Sequence, residues 1–373
     1  MRLPTWGELH DEQKIVWEQG LDRSLFVVGP PGSGKTSLAA HRARMCASQA
    51  AGCFVVTYNR MLRRLVTLLD GQSHQGRAGP SPSVDMRTMD SFVGWDWRVR
   101  FPDEDGNLPN YPSGLHDWDV RVARLAREGI NPRRGHIVVD EGQDLPPWFF
   151  RYVAQVSNTI TVFADSDQAV AEDGSSLKEI KRGADLPDPF LLSKNHRNTP
   201  EIATVAEHFH DGDLPPAAVV RPPTGDVPRL LRLDGQSETV DWVARWFRQR
   251  GGTVGVIARD NRTVDGLRTT LAERLPGAAV HAYTHGSRNE DRIDVTKPGI
   301  TVLNVSSAKG QEFDTVFVAE LEKFLPPGSP LERRRMYMMC TRARDHLFLV
   351  QHRAGLLGAV ERSLPGPEIL LRR

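Results

Sequence analysis

The stretch Gly29–Thr36 reads GPPGSGKT and determines how the rest of the chain is interpreted. It follows the apolar run Leu25–Val28 and precedes a helix-like stretch, Ser37–Ala47. Its glycines let successive backbone N–H groups turn toward phosphate oxygens, Lys35 can reach the β- and γ-phosphates, and the Thr36 hydroxyl can hold Mg2+. The sequence therefore predicts a phosphate-binding loop for a nucleoside triphosphate, with contacts from Gly29, Gly32, Ser33, Gly34, Lys35, Thr36 and Ser37.

Length and composition limit the kind of protein. A chain of 373 residues has room for two or three domains that each bury a core. The formal net charge is only +1, so any surface that binds nucleic acid must be local. The three cysteines have neither metal-binding nor disulfide-framework spacing, which suits a reducing compartment. There is no signal-peptide core and no apolar run of membrane-spanning length, so we expect a cytoplasmic protein with no membrane partner.

Short apolar runs alternate with helix-like stretches along the chain, which is typical of parallel α/β sheets. Strands are predicted at Leu25–Val28, Cys53–Asn59, His136–Glu141, Thr161–Gln168, Leu230–Leu233, Val254–Ala258, Val280–Tyr283, Ile300–Val305, Thr315–Ala319 and Leu347–Val350. Helices are predicted at Ser37–Ser48, Arg60–Leu69, Glu238–Arg250, Val264–Leu275 and Leu331–Arg344, and a loop at Gly71–Ser83. Pro- and Gly-rich stretches near the middle predict two domains, residues 1–187 with a small insertion at about 93–135, and residues 188–373.

Two adjacent carboxylates end the apolar run in VVDEGQD, Val138–Asp144. An open parallel sheet binds its ligands at the carboxyl ends of its strands, so Asp140 and Glu141 should face the phosphates. We expect Asp140 to hold Mg2+ and Glu141 to orient, or accept a proton from, the water that attacks the γ-phosphoryl group. Gln168, after the next apolar run, could hydrogen-bond the same water or the γ-phosphate.

In their order along the chain, these and further motifs resemble those of superfamily 1 helicases, specifically the UvrD and Rep branch. The motifs are LHDEQ at Leu9, GPPGSGKT at Gly29, VVTYNR at Val55, TMDSF at Thr88, VVDEGQD at Val138, ADSDQ at Ala164, SKNHR at Ser193, SSAKGQEFD at Ser306 and YMMCTRAR at Tyr337. The resemblance covers most of the chain and implies a P-loop NTPase fold, in which ATP binds with Mg2+ in a cleft between two RecA-like domains.

The resemblance also implies roles for particular residues. The Gln13 amide would read the adenine edge, His196 would stack on the adenine and Glu312 would hold the ribose. Arg197 and Arg342 would stabilise the charge on the γ-phosphate as catalytic residues beside Lys35 and Glu141. Gly310 lies in the same motif as Glu312 and is assigned to the nucleotide site. Contacts with a single strand of nucleic acid are implied for Thr57, Asn59, Thr88, Ser91, Phe92, Ser306 and Ser307.

The chain also departs from the family pattern. Neither domain has room for the large accessory insertion of the family's translocases, and Ala169–Ala171 stand where the family has base-stacking aromatic residues. The small insertion contains Trp95, Trp97 and Trp118, which could stack on bases or anchor a core, and we favour the core.

We therefore expect a compact ATPase that binds or moves along single-stranded nucleic acid, DNA rather than RNA. The alternative is an ATP-gated interaction module that acts with a partner protein such as a nuclease, with little or no unwinding of its own.

Overall fold

The computed structural model describes residues 4–47, 53–57, 85–102, 117–128, 134–165, 174–211, 215–284, 297–352 and 357–372. Its contacts divide the chain into two compact units. The first unit comprises Arg2–Pro30 and Gly34–Ser193, and the second comprises Lys194–Arg373 together with Pro31–Ser33. Predictions for Asn59, Gln168, the helix Arg60–Leu69 and the loop Gly71–Ser83 lie outside the described residues.

The first unit is built on a six-stranded sheet with the order β3-β2-β4-β5-β1-β6 and parallel pairing throughout. Its strands are β1 Leu25–Val28, β2 Cys53–Thr57, β3 Asp85–Arg87, β4 Arg134–Asp140, β5 Ser157–Ala164 and β6 Phe190–Leu191. Its helices are α1 Asp11–Trp17, α2 Lys35–Ala47, α3 Met89–Arg100, α4 Trp118–Glu128, α5 Pro147–Val156 and α6 Leu177–Gly183. The parallel α/β architecture expected from the sequence is confirmed.

Apolar runs form the buried central strands of this sheet. All four residues of β1 are buried, and β4 and β5 are each buried over their last five residues. A parallel sheet covered on both faces needs such continuous apolar strands. Helix α2 packs Leu38, Ala39 and Ala43 against Val27 and Val138 of the sheet. The polar residues that follow β1, β4 and β5 are therefore carried to the same edge.

The tryptophans of the small insertion pack into the core of the first unit, where Trp118 contacts Phe149 and Tyr152 of α5. Trp97 and Trp118 are buried, and Trp97 packs at a tilt against Phe101 with the ring centroids 4.5 Å apart. Trp95 is half-buried, with the Arg87 guanidinium 4.5 Å and the Arg134 guanidinium 4.4 Å from its ring centroid. Trp97 and Trp118 thus anchor the core, as favoured from the sequence.

Asp96 is the polar centre of this insertion and is completely buried. Its carboxylate accepts hydrogen bonds from Arg100 at 2.8 Å, Arg134 at 2.8 Å and the Tyr152 hydroxyl at 2.7 Å. The contacts join α3 to β4 and α5. Burial and the neighbouring Asp96 raise the pKa of Tyr152 well above its ordinary value, so this hydroxyl remains a donor.

The second unit contains a seven-stranded parallel sheet with the order β11-β12-β10-β13-β14-β9-β15, and β7 pairs with β8 separately. Its strands are β7 Lys194–Asn195, β8 Ala218–Val219, β9 Arg229–Leu233, β10 Thr253–Ala258, β11 Val280–Tyr283, β12 Gly299–Asn304, β13 Phe313–Val318, β14 Ala343–His352 and β15 Leu371–Arg372. Its helices are α7 Pro200–Glu207, α8 Gln236–Arg250, α9 Asn261–Arg274, α10 Val305–Ala308, α11 Pro330–Cys340 and α12 Leu357–Arg362. One face of the large sheet packs on α8 and α9 through Val240, Val243, Val264 and Leu271.

The predicted helix Leu331–Arg344 was wrong at its carboxyl end. Helix α11 stops at Cys340, and β14 begins at Ala343. The backbone carbonyl of Arg342 accepts a hydrogen bond from the Phe313 N–H at 3.0 Å, so the chain is drawn into the sheet there. Pairing with β13 overrides the local helix pattern.

None of the described helices is long and apolar enough to cross a membrane.

We predict that Asp96→Ala lowers the free energy of unfolding by about 3–5 kcal/mol, because it leaves two largely buried arginine side chains, 8% and 15% exposed, without their carboxylate. Urea unfolding measures the change. Asp119→Ala on the exposed face of α4 is the matched control and should change stability by less than about 0.5 kcal/mol. Equal losses in the two variants would contradict this account of the insertion.

Candidate nucleotide and nucleic-acid sites

The two interior glycines of GPPGSGKT adopt backbone conformations that other residues avoid. Gly34 has a φ of +89°, and a Cβ atom there would lie 2.4 Å from the Gln13 amide nitrogen. Gly32, which belongs to the second unit, has a φ of +77°, and a Cβ there would lie 2.3 Å from the Asn195 side-chain oxygen. Only glycine fits both positions. The loop is thus shaped for backbone approach to a phosphate group.

Gln13 is held in place by the start of its own helix. Its amide oxygen accepts a hydrogen bond from the His10 N–H at 3.0 Å, which leaves the amide nitrogen on the side of Gly34. Gln13 is buried, as a residue at the back of a nucleotide site would be. The structure therefore brings the predicted adenine reader to the phosphate-binding loop.

Lys35 is the central cation of the first unit's site. Its ammonium group donates to the carbonyl of Gly29 at 2.5 Å, to the carbonyl of Pro30 at 2.8 Å and to the Asp165 carboxylate at 3.1 Å. Lys35 and Asp165 are both buried. A buried ammonium needs such partners because its desolvation is expensive. Asp165, directly after β5, was missed by the sequence analysis.

Thr36 and Asp140 meet where the site would hold Mg2+. The Thr36 hydroxyl donates to the Asp140 carboxylate at 3.3 Å. Burial, together with the neighbouring charge of Glu141, raises the pKa of Asp140 to about 7, and Lys35 opposes the shift. A cation at this position would favour the ionised carboxylate.

The donor set fits Mg2+. Among the described residues no three His, Cys, Asp or Glu side chains form a metal-binding group. Mg2+ is typically held by one or two protein oxygens, with phosphate oxygens and water completing its shell. The Thr36 hydroxyl and one Asp140 oxygen are sufficient for that arrangement.

Glu141 begins the tight turn that follows β4. Its φ of +54° lies in the left-handed region, and a short 3-10 helix, Gly142–Asp144, follows it. The Gln143 amide nitrogen donates to the Glu141 carboxylate at 2.7 Å. Gln143 was not singled out from the sequence, although it lies inside VVDEGQD.

In the second unit the structure brings Arg197 and Glu312 together. The Arg197 guanidinium donates to the Glu312 carboxylate at 2.8 Å, and its backbone N–H donates to the Asn195 side chain at 2.9 Å. Asn198 donates to the carbonyl of Ala343 at 2.5 Å and thereby ties this turn to β14. Asn195 and Asn198 therefore hold the turn that carries Arg197. The sequence analysis did not identify these two residues.

Arg342 is almost entirely buried in the second unit. Its guanidinium donates to the carbonyl of Met338 at 3.0 Å, to the carbonyl of Gln311 at 3.3 Å and to the Thr341 hydroxyl at 3.2 Å. These contacts place Arg342 beside the segment that carries Glu312. The neighbouring Gly310 has a φ of +70°, and the half-buried His196 donates its backbone N–H to the Gly32 carbonyl at 2.9 Å within the same unit.

The residues expected to contact nucleic acid fall into two groups. The side chains of Thr57, Phe92 and Ser307 are buried, and Phe92 packs at 5.5 Å between ring centroids on Phe54. Ser91 and Ser306 are exposed. Thr88 caps α3 by accepting a hydrogen bond from the Ser91 N–H at 3.3 Å. These assignments remain predictions, and the structure offers Ser91 and Ser306 as the accessible side chains.

Two residues that the sequence analysis missed accompany Ser306. The Ser306 hydroxyl donates to the Asn304 side-chain oxygen at 2.9 Å, and the Asn304 amide donates to Asn261 at 2.7 Å. Asn304 is the last residue of β12 and Asn261 the first residue of α9, shortly after β10, so the cluster lies at the carboxyl edge of the sheet. Exposed hydroxyl and amide groups of this kind can contact a phosphodiester backbone.

The fold and the loop define a P-loop NTPase with parallel RecA-like sheets. A family model described as an AAA domain matches residues 12–173, which include Gln13, the phosphate-binding loop and VVDEGQD. A model described as the UvrD-like helicase C-terminal domain matches residues 299–350, which include Ser306, Glu312 and Arg342. With the motif order, these matches support a resemblance of the chain to the UvrD/Rep-like superfamily 1 helicases.

Two solved structures are similar to the chain. One is the C-terminal domain of a possible DNA helicase from Lactobacillus plantarum WCFS1, with 22% identity, coverage of 48% of this chain and 98% of that one, and a TM-score of 0.35. The other is the PRRSV helicase, with 15% identity, coverage of 90% of this chain and 54% of that one, and a TM-score of 0.43. The chain thus spans about half the length of the PRRSV helicase. A search of curated proteins gave no match.

We predict that Asp140→Asn stabilises the nucleotide-free protein at pH 8 by on the order of 1–3 kcal/mol, because asparagine cannot ionise in this buried position. The folded-state pKa of about 7 lies above the ordinary 3.8, so the cost of ionised Asp140 appears as the pH rises through that interval. The advantage of asparagine should therefore be largest above pH 7 and absent at about pH 4.

Thermal unfolding of both proteins without nucleotide or Mg2+, from pH 4 to 8, measures this difference. Asp119→Asn, at an exposed position, controls for the loss of a carboxylate and should follow the wild-type curve. If Asp140→Asn were less stable than wild type at pH 8, the ionised carboxylate would be stabilising in the empty site and the account would be wrong.

Proposed function

We propose that this protein is an ATPase whose turnover is driven by single-stranded nucleic acid, DNA in preference to RNA. The observation that carries the proposal is the convergence of Lys35, Thr36, Asp140 and Glu141 at the carboxyl ends of β1 and β4. Each side chain has the chemistry that phosphoryl transfer requires at its position. Because the second unit matches the UvrD-like helicase C-terminal domain, we expect the protein to bind nucleic acid.

In this proposal Lys35 exchanges Asp165 for the phosphate oxygens of ATP, while its contacts with Gly29 and Pro30 loosen. Thr36 and Asp140 hold the metal, and Mg2+ supplies neutralisation of the phosphate charge when it is bound. Glu141 orients the attacking water and accepts its proton. Gln13 faces the adenine edge. Gln168 would complete the water contacts.

The second unit contributes the remaining charge stabilisation. Arg197 now pairs with Glu312, and we propose that it transfers to the γ-phosphate during turnover while Glu312 turns to the ribose. Arg342 would join it, and such arginines contribute a factor of about 10³–10⁵ in rate. His196 would stack on the adenine. An arginine that must exchange partners makes hydrolysis depend on the conformation of its unit.

The preference for DNA rests on the family resemblance. The sequence motifs assigned to nucleic acid contain nothing that reads a 2′-hydroxyl, which is the group that separates RNA from DNA. We propose that the chain moves along one strand rather than unwinding a duplex by itself. The reason is that it has no room for the large accessory insertions of the family's translocases.

A second function is favoured by one observation. Three of the side chains expected to grip nucleic acid, Thr57, Phe92 and Ser307, are buried. The ATPase cycle could instead gate a partner protein such as a nuclease. A pull-down in the presence and absence of ATP that recovers a stoichiometric partner, with ATPase rates indifferent to nucleic acid, would support this alternative.

We predict that steady-state ATP hydrolysis increases at least tenfold when saturating single-stranded DNA is added, because strand binding biases the arrangement in which the arginines reach phosphate. Single-stranded RNA should stimulate less. Glu141→Gln is the control for contaminating ATPases: it should retain ATP binding but lose turnover by about 10²–10⁴-fold, the usual contribution of a general base. Equal rates with and without either strand would refute the nucleic-acid-dependent ATPase.

A further inference from the structure

Gln143 occupies a bridging position in the first unit. Its side chain is 1% exposed. The amide nitrogen donates to the Glu141 carboxylate at 2.7 Å, and the amide oxygen accepts from the Asp165 backbone N–H at 2.9 Å. Its backbone carbonyl accepts from the Ser175 N–H at 3.0 Å. One amide side chain therefore joins the residues that directly follow β4 and β5.

The hydrogen bonds fix which way this amide faces. Only the NH2 group can donate to a carboxylate, and only the carbonyl oxygen can accept from a backbone N–H. A glutamate at this position would place a second acceptor against Glu141, and a methionine would fill the space with neither bond. Glutamine alone satisfies both partners.

The surroundings leave this turn little freedom to move. Glu141 has its left-handed φ of +54°. A Cβ on Gly142 would lie 2.8 Å from Val162, so the backbone packs directly on β5. Because the backbone path is fixed, the remaining freedom belongs to the Glu141 side chain. Gln143 restricts that freedom.

The second contact of Gln143 reaches the phosphate-binding loop. Asp165, whose N–H it accepts, pairs through its carboxylate with Lys35 at 3.1 Å. A buried series of contacts thus runs from Glu141 through Gln143 and Asp165 to Lys35. Buried networks of this kind hold their members in one arrangement when every group is satisfied.

We propose that Gln143 is a positioning residue for ATP hydrolysis: it holds the Glu141 carboxylate toward the attacking water, and in the nucleotide-free protein it also holds Asp165 against Lys35. The proposal rests on the ATPase function proposed above. Gln143 itself contacts neither water nor phosphate in this role. Its effect on the rate passes through Glu141.

The test begins with Gln143→Met, which keeps the length of the side chain and removes both hydrogen bonds. Misplacing a catalytic group by about 1 Å can cost about 100-fold in rate, so we expect kcat to fall by about 10- to 100-fold. KM for ATP and the Kd of a fluorescent ATP analogue should change by less than about threefold, because the phosphate contacts remain. Gln155→Met on α5 is the matched control and should leave kcat unchanged.

A double-mutant cycle separates positioning from general destabilisation. If Gln143 acts through Glu141, adding Gln143→Met to Glu141→Gln should lower kcat by less than about threefold further. If the double variant loses kcat by the product of the two separate factors, the proposal is overturned. A wild-type kcat in Gln143→Met would also overturn it.

A readout without ATP completes the test. In the nucleotide-free protein, hydrogen exchange of the Asp165 amide should be faster in Gln143→Met than in wild type and unchanged in Gln155→Met. If wild type hydrolyses no ATP, the proposed function fails, whereas unchanged exchange at Asp165 contradicts the bridging geometry itself.

Should Gln143→Met not fold, Gln143→Glu retains the acceptor for Asp165 and should show the same selective loss of kcat. If neither variant folds, the role of Gln143 is structural and the proposal is overturned.

Discussion

The burial of the Lys35 ammonium is the constraint on which the first unit's site depends. A cation at the ends of β1 and β5 must be compensated, and two carbonyls of its own loop and Asp165 provide this. In the proposed cycle, phosphate oxygens replace Asp165, and the contacts with the two carbonyls loosen. The same edge carries Asp140, whose raised pKa shows how poorly it tolerates its charge without a cation. The charges at this edge are thus suited to the phosphate groups and the metal proposed to bind there.

The second unit also has to compensate positive charge, but its two arginines differ in accessibility. Arg342 is buried under carbonyl groups, while the more accessible Arg197 pairs with Glu312. Asn195 and Asn198 hold the turn that presents Arg197, through bonds to its backbone and to β14. The two arginines therefore have different freedom to move. In the proposed cycle, Arg197 is the one that exchanges partners.

Much of the fold could be predicted because its strands are continuous apolar runs followed by polar loops. This pattern located β1, β4, β10 and β13 from local sequence alone. The end of α11 could not be predicted this way, because the backbone of Arg342 is recruited by Phe313, which is distant in sequence.

The side chains proposed to act in catalysis were predicted from the loop and from VVDEGQD, since their chemistry is carried by residue type. Asp165 and Gln143 could not be found, because their roles depend on contacts between neighbouring strands. In the nucleic-acid motifs, residue type alone does not predict which side chains are exposed. Thr57 and Phe92 occupy the expected motif positions, yet their side chains are buried, and a sequence motif alone does not distinguish a residue that supports a surface from one that forms it.

We propose that ATP and a single strand of nucleic acid bind preferentially to the same conformation of the protein. The most direct measurement is a reciprocal titration: the Kd of a labelled single-stranded oligonucleotide with and without a non-hydrolysable ATP analogue, and the Kd of that analogue with and without the oligonucleotide. The account predicts that both affinities change by the same factor, between about 5 and 150. Affinities that are each independent of the other ligand would contradict it.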